Sequence, residues 1–84
     1  MTEIIWDPRA SDFLDKLPAK DREQVLKKLD KDVRINPLHF IEHLESKDEG
    51  KIRIGQYRLF VSYYRNTSQL IIRAMRLRSN AYKK

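Results

Sequence analysis

Apolar and polar side chains alternate most regularly in residues 51–61, and this pattern predicts two β-strands joined by a tight turn. Gly55 would take the first central position of a two-residue loop, where a positive φ costs glycine little. Pairing the strands outward from this loop assigns each side chain to one of two faces. One face is apolar and should cover the core; its members are Ile52, Ile54, Tyr57, Leu59 and Val61.

The opposite face of the same hairpin is basic. The predicted pairing sets Arg53 opposite Arg58 and Lys51 opposite Phe60. Like charges directly opposite each other destabilise a sheet. A chain that keeps such a pair is therefore expected to use it on a negatively charged ligand.

Shorter patterns predict the elements that precede the hairpin. Residues 3–6 are β-branched and aromatic and indicate an edge strand. Apolar residues at helical spacing predict a first helix over residues 8–17, with Asp7 as its N-cap. A second amphipathic helix is predicted from residue 18 or 19 to residue 34 or 35.

The segment between the second helix and the hairpin is harder to interpret. Its apolar residues fit either a short helix or a packed loop, and residues 47–50 indicate a polar turn. His39 and His43 have the spacing of a two-histidine metal pair on a helix. No third ligand stands close by in the sequence, so no metal site is expected.

Residues 69–76 predict a last strand whose register the pattern leaves open. A two-residue loop at 66–67 would place Arg73 on the same face as Arg58, and a three-residue loop at 66–68 would pair Arg76 with Arg58. A bulge near the strand end would bring both arginines to the basic face.

The predicted order is β-α-α-β-β-β, in a single domain over residues 1–84. Consecutive hairpins make a mainly antiparallel sheet, and the two preceding helices must pack on one of its faces. The expected fold class is thus α+β, and the uncovered face is the basic one.

Charge is distributed unevenly along the chain. Residues 1–50 hold nine Lys/Arg and twelve Asp/Glu, a net −3, whereas residues 51–84 hold nine Lys/Arg and no acid, a net +9; together these give the formal charge of +6. Such asymmetry indicates a polyanionic partner, nucleic acid above all.

Other features of the composition exclude several classes of protein. There is no cysteine, which excludes a disulfide framework and a thiolate metal site. No apolar run approaches the roughly 20 residues of a membrane span, and the first residues do not resemble an export signal. We expect a cytoplasmic protein with no membrane partner and no small-molecule cofactor.

A basic sheet face suits an RNA strand, because guanidinium groups bind phosphate and aromatic rings stack on bases. Packing under the second helix or the tail is the alternative for the aromatic ring at position 60. The residues expected to bind RNA are Phe60, Arg73, Arg78, Lys83 and Lys84.

Cleavage of RNA by its own 2′-hydroxyl needs a base, an acid and stabilisation of the charge that develops on phosphorus. The two histidines precede the sheet, and nothing in the sequence assigns them to the basic face. Lysine, arginine and tyrosine would therefore have to do this chemistry.

These residues resemble the RelE/ParE superfamily of prokaryotic toxin–antitoxin toxins over nearly the whole chain. The resemblance rests on Phe13, Leu17-Pro18, Asn36-Pro37, Leu44, the run from Arg53 to Leu59, and Arg76 with Tyr82. It implies a ribosome-dependent mRNA endonuclease that cuts in the A site, inhibits translation, needs no metal and is neutralised by a RelB-like antitoxin.

The resemblance also implies a set of catalytic residues. Arg58 and Arg76 would bind and neutralise the scissile phosphate, and Tyr82 would act in acid/base chemistry or orient the nucleotide. Lys51 would add charge and assist proton transfer. Arg53 stands where some members have lysine, and since arginine is a poor base its role would be electrostatic.

Two other functions stay open at this point. ParE-like branches of the superfamily act on DNA gyrase and are not known as nucleases. A catalytically inactive relic that binds RNA or antitoxin is the other alternative.

Overall fold

Five strands form one mixed sheet in the part of the chain that the computed structural model describes, residues 1–43 and 48–77. Their spatial order is β1-β5-β4-β3-β2; β1 runs parallel to β5 and all other neighbours are antiparallel. The strands are β1 (Glu3–Trp6), β2 (Glu42–His43), β3 (Glu49–Ile54), β4 (Tyr57–Tyr64) and β5 (Gln69–Leu77). The predicted α+β class and mainly antiparallel sheet are confirmed.

Helices α1 (Pro8–Asp15) and α2 (Ala19–Lys28) follow β1, and a π-helical turn (Leu29–Val33) continues α2. The Asp7 side chain caps α1 by accepting a hydrogen bond of 2.9 Å from the backbone N–H of Arg9. The guanidinium of Arg22 donates a hydrogen bond of 3.1 Å to the backbone carbonyl of Leu17. This bond gives a partner to a carbonyl group in the turn between the two helices. No helix in residues 1–43 and 48–77 has the length and apolarity to cross a bilayer.

The helices cover one face of the sheet, as predicted. Helix residues Ala10, Leu14 and Val25 are buried in the same core cluster as the apolar side of the hairpin, with α1 packed on β5 and α2 on β3. All five residues assigned to that side from the alternation are buried, at 0–4% exposure. This burial supplies the apolar driving force of a small domain, and it leaves the opposite face of the sheet to solvent.

The central hairpin has the predicted register. Ile54 pairs with Tyr57 and Arg53 with Arg58. Gly55 has a φ of +57°, which non-glycine residues rarely adopt. A Cβ at this position would meet the Gln24 amide of α2 at 3.0 Å, so glycine also allows the turn to lie close to the helix.

A β-bulge decides the register of β5. Arg76 pairs with Arg58, Ala74 pairs with Phe60, and Arg73 is the extra residue at the shift. Of the three registers left open by the sequence, the structure has the bulged one. The connecting loop is longer than in any of them, since β4 ends at Tyr64 and β5 begins after Ser68.

The structure also contains two short elements before the hairpin: a short helix, one of the two alternatives that the sequence left open for this segment, and a strand that the pattern did not predict. Helix α3 (Pro37–Phe40) is one turn long, and the two-residue strand β2 pairs with the start of β3. Gly50 allows this pairing, because a Cβ there would overlap Ile41 Cγ2 and lie 2.8 Å from the carbonyl oxygen of Glu42. Of the predicted polar turn at 47–50, Glu49 and Gly50 instead belong to β3, and Lys47 lies outside the described residues.

A partly buried hydrogen bond joins α2 to the hairpin. The Tyr57 hydroxyl donates to Asp21 Oδ2 at 2.6 Å, and the Phe13 ring meets the Tyr57 ring edge-on at 6.3 Å between centroids. The hydrogen bond to Asp21, followed by burial, raises the pKa of Tyr57 above 10.0.

Tyr57→Phe should lower the free energy of unfolding by about 1–2 kcal/mol, because it removes this bond and leaves the carboxylate without its donor. The fold stabilises the neutral form of the Tyr57 phenol. The greater stability of the parent relative to Tyr57→Phe is therefore complete below pH 10.0, and it declines as pH rises through the raised pKa of Tyr57. Urea unfolding at pH 8 and at pH about 11 measures both effects.

Tyr64→Phe is the matched control, since Tyr64 is exposed, and it should leave stability unchanged. A Tyr57→Phe variant as stable as the parent at pH 8 would show that the bond contributes nothing.

Candidate nucleic-acid interface

Three arginines form a row across three adjacent strands on the open face. Arg53 of β3 pairs with Arg58 of β4, and Arg58 pairs with Arg76 of β5. Cross-strand neighbours have Cβ atoms about 4.5–5.5 Å apart, so the backbone holds these three side chains next to one another on the open face. We call Arg53, Arg58 and Arg76 the arginine row.

The end members of the arginine row are exposed, and Arg58 between them is half-buried. Within residues 1–43 and 48–77, neither Arg58 nor Arg76 makes an ion pair with a carboxylate. Their charges are therefore available to a ligand. Repulsion within the row favours any state in which an anion lies between the guanidinium groups.

The next row along the sheet combines charge with an aromatic ring. Lys51 pairs with Phe60, and Phe60 pairs with Ala74. Phe60 is half-buried and alternates away from the helices, so it does not pack under the second helix. A half-exposed ring beside a lysine and the arginine row suits stacking against a base.

Arg73 reaches the same face through the bulge. Its guanidinium donates a hydrogen bond to the Ser62 hydroxyl at 3.3 Å. Ser62 lies on the same face of β4 as Arg58 and Phe60. The bulge thus adds a cation to the basic face without shifting Arg76 out of the arginine row.

A carboxylate that sequence reasoning missed also lies on this face. Glu42 of β2 pairs with Lys51 in register, and its Oε2 contacts Arg53 Nε at 3.3 Å. Both side chains of the ion pair are half exposed, at 50% and 51%. Strand β2 is too short for any alternation to show, so the sequence carried no signal for this contact.

Four predicted site residues belong to the part of the chain that the structure does not describe. These residues are Tyr82, Arg78, Lys83 and Lys84, which lie outside residues 1–43 and 48–77. Their placement on the basic face stays a prediction. Leu44, which belongs to the family resemblance, also lies outside the described residues.

Neither histidine belongs to a cluster of metal ligands among the described residues. Within residues 1–43 and 48–77 there is no group of three or more histidine, cysteine or carboxylate side chains that could hold a metal ion. The His39 ring instead meets the Phe40 ring edge-on at 4.8 Å between centroids.

The fold can be compared with solved structures. A chain of the RelBE2 toxin–antitoxin complex from Mycobacterium tuberculosis superposes with a TM-score of 0.82 at 22% identity, over 92% of this chain and 98% of that chain. The isolated RelE toxin of E. coli superposes with a TM-score of 0.76 at 25% identity, over 98% of this chain and 92% of that chain. The chain has the RelE fold.

The match extends to an archaeal protein. A chain of the RelE–RelB complex from Pyrococcus horikoshii superposes with a TM-score of 0.70 at 18% identity, over 92% of this chain and 94% of that chain. No family model matches the sequence, and no curated protein matches it significantly. The resemblance to the RelE/ParE superfamily is thus confirmed by the RelE fold, at sequence identities of 18–25%.

Glu42→Gln should strengthen binding of a single-stranded RNA by about two- to fivefold, because an exposed ion pair of modest strength no longer competes with phosphate for Arg53. Fluorescence anisotropy with a 2′-O-methyl RNA octamer measures the affinity. The slope of log affinity against log salt should steepen by about 0.7, one phosphate contact.

Glu3→Gln is the control for the loss of one negative charge, since Glu3 is exposed on β1. It should leave both quantities near those of the parent. Equal gains from the two variants would mean that net charge alone matters and that Glu42 has no specific effect on Arg53.

Proposed function

We propose that the protein is the toxin of a type II toxin–antitoxin system and that it cleaves mRNA on the ribosome. The arginine row carries this proposal, because it holds three permanent cations on a rigid frame where one phosphate can meet them. The RelE fold supports the proposal, and so does the net charge of +9 in residues 51–84.

The reaction proposed is attack of a ribose 2′-hydroxyl on the adjacent phosphorus. The new P–O bond forms as the bond to the 5′-oxygen breaks, which leaves a 2′,3′-cyclic phosphate and a 5′-hydroxyl. The 2′-hydroxyl gives up its proton to a base, and the departing 5′-oxygen takes one from an acid.

Arg58 and Arg76 are assigned to the non-bridging oxygens of the scissile phosphate. A guanidinium can donate two parallel hydrogen bonds to such oxygens. Its charge is worth most where negative charge develops in the transition state, and cations fixed by neighbouring strands need no reorganisation. Arg53 adds charge at the end of the arginine row that Glu42 partly neutralises.

Proton transfer is assigned to Lys51 and Tyr82. Lys51 lies one row from Arg53 and Arg58 on the open face, within the same patch of positive charge. Tyr82 follows β5 by five residues, a length of chain that could return to this face. Phe60 is assigned to stacking with a base, and Arg73 to phosphate contacts, with Arg78, Lys83 and Lys84 extending the basic surface.

Arg58→Ala and Arg76→Ala should each slow mRNA cleavage about 100-fold, the cost of losing one preorganised donor to the transition state. Primer extension on mRNA translated in a cell-free system measures the cuts, which should follow the codon phase.

Arg65→Ala is the control, because Arg65 is exposed beyond the far end of β4. Its cuts should match those of the parent. If the parent protein produces no cuts in mRNA but inhibits DNA supercoiling by gyrase, a ParE-like activity would replace the proposed nuclease activity. Undiminished cutting by Arg58→Ala would remove the arginine row from the mechanism.

The proposed partner is a RelB-like antitoxin. The M. tuberculosis and P. horikoshii neighbours are toxin–antitoxin complexes, and a basic chain that inhibits translation needs a neutralising partner. An acidic segment complements the charge of residues 51–84.

Co-expression with a small acidic protein encoded next to this chain should restore growth that the chain alone arrests. The two proteins should elute together in size-exclusion chromatography, and higher salt should weaken the complex. Growth arrest that the neighbour does not relieve would argue against this antitoxin.

A further inference from the structure

A cleft lies where the arginine row meets helix α1. Strand β1 pairs only with the first half of β5, up to Ile72, so no described strand covers the edge of β5 beyond it. Helix α1 fills part of this gap and contributes Arg9 and Phe13 to the wall. The opposite wall includes Arg58 and Arg76, and the volume is about 630 Å³.

The charged side chains of this cleft are all basic. Arg9, Arg58 and Arg76 line it, and no described acidic residue does. The groove between α2 and the hairpin differs, because Glu23 and Asp32 line it beside its lysines. The cleft near the β4–β5 loop likewise includes Asp48. Among these three clefts, only the one beside α1 has a purely positive lining.

The cleft also offers an aromatic wall. Phe13 is half-buried, and its ring packs edge-on against Tyr57, which fixes its position. Arg9 lies four residues earlier on α1, hence on the same face of the helix. A guanidinium and a fixed aromatic side chain on one helix face are the two groups that a nucleotide contacts through its phosphate and its base.

We infer that the cleft between α1 and the end of β5 is a nucleotide subsite, in which Arg9 binds the phosphate next to the scissile one along the RNA strand. This inference rests on the proposed function, since Arg58 and Arg76 line the cleft and are assigned to the scissile phosphate. Continuity with the arginine row favours RNA over an acidic protein segment as its occupant.

The test compares the binding of a 2′-O-methyl RNA octamer, which cannot be cleaved, to the parent and to Arg9→Ala. Fluorescence anisotropy at about 0.1 M salt should show about a tenfold loss of affinity, as expected for one charge-assisted phosphate contact. The slope of log affinity against log salt should become shallower by about 0.7.

Two further variants separate a contact from a general charge effect. Arg9→Lys keeps the charge and should recover most of the affinity. Arg65→Ala removes the same side chain at the far end of the sheet and should leave affinity within about twofold of the parent, because charges beyond a Debye length of about 10 Å are screened. An equal loss from Arg9→Ala and Arg65→Ala would overturn the subsite.

The outcome also distinguishes this inference from the proposed function. Weaker binding by Arg58→Ala and Arg76→Ala together with unchanged binding by Arg9→Ala would overturn the subsite alone. RNA binding that none of the three substitutions changes would overturn both. If Arg9→Ala instead weakens the complex with the acidic partner and leaves RNA affinity unchanged, the cleft is a protein-binding site and the inference is wrong.

Discussion

The feature on which the open face depends is a like-charge contact that the backbone does not allow to relax. Arg53, Arg58 and Arg76 stand opposite one another on three neighbouring strands, and each step in the row costs electrostatic energy. A slip of one residue would separate the charges, but it would also move the apolar side chains of β4 out of the core. Burial therefore holds the arginines together.

The contacts that fix the hairpin lie on the other side of the sheet. Tyr57 alternates with Arg58, and its hydroxyl binds Asp21 at the start of α2. Gly55 lets the Gln24 amide approach the turn. The helices thus fix the position of the strands from the apolar face of the sheet, and no described helix lies on the basic face. Preorganisation of this kind places cations before a ligand arrives, so that little reorganisation opposes binding.

Glu42 gives the basic face an asymmetry. Its ion pair neutralises one end of the arginine row at Arg53, and the other end opens at Arg76 into a cleft with only basic charges. The described negative charge next to the arginine row therefore lies at its β3 end. Under the proposed function, a bound RNA strand would extend from the arginine row toward Arg9, away from Glu42.

The hairpin, its two faces and the order of the main elements could be predicted from the pattern of side chains alone. A two-residue loop with glycine fixes register locally, and strict alternation reports which side is buried. The pairing of Arg53 with Arg58 was therefore predictable from residues 51–61 alone. The family resemblance added Arg76 to the same site, although the pattern left its register open.

Features that depend on contacts between separate elements could not be predicted in this way. The bulge at Arg73 set the register of β5, because Ile72 and Met75 lie three residues apart and both are buried, which strict alternation along a strand does not allow. Glu42 forms an ion pair with Arg53, and Arg9 lines a cleft together with the end of β5. In each case the two residues belong to different elements of the fold. Hydrophobic periodicity describes one helix or strand at a time, so it gives no information on contacts between elements.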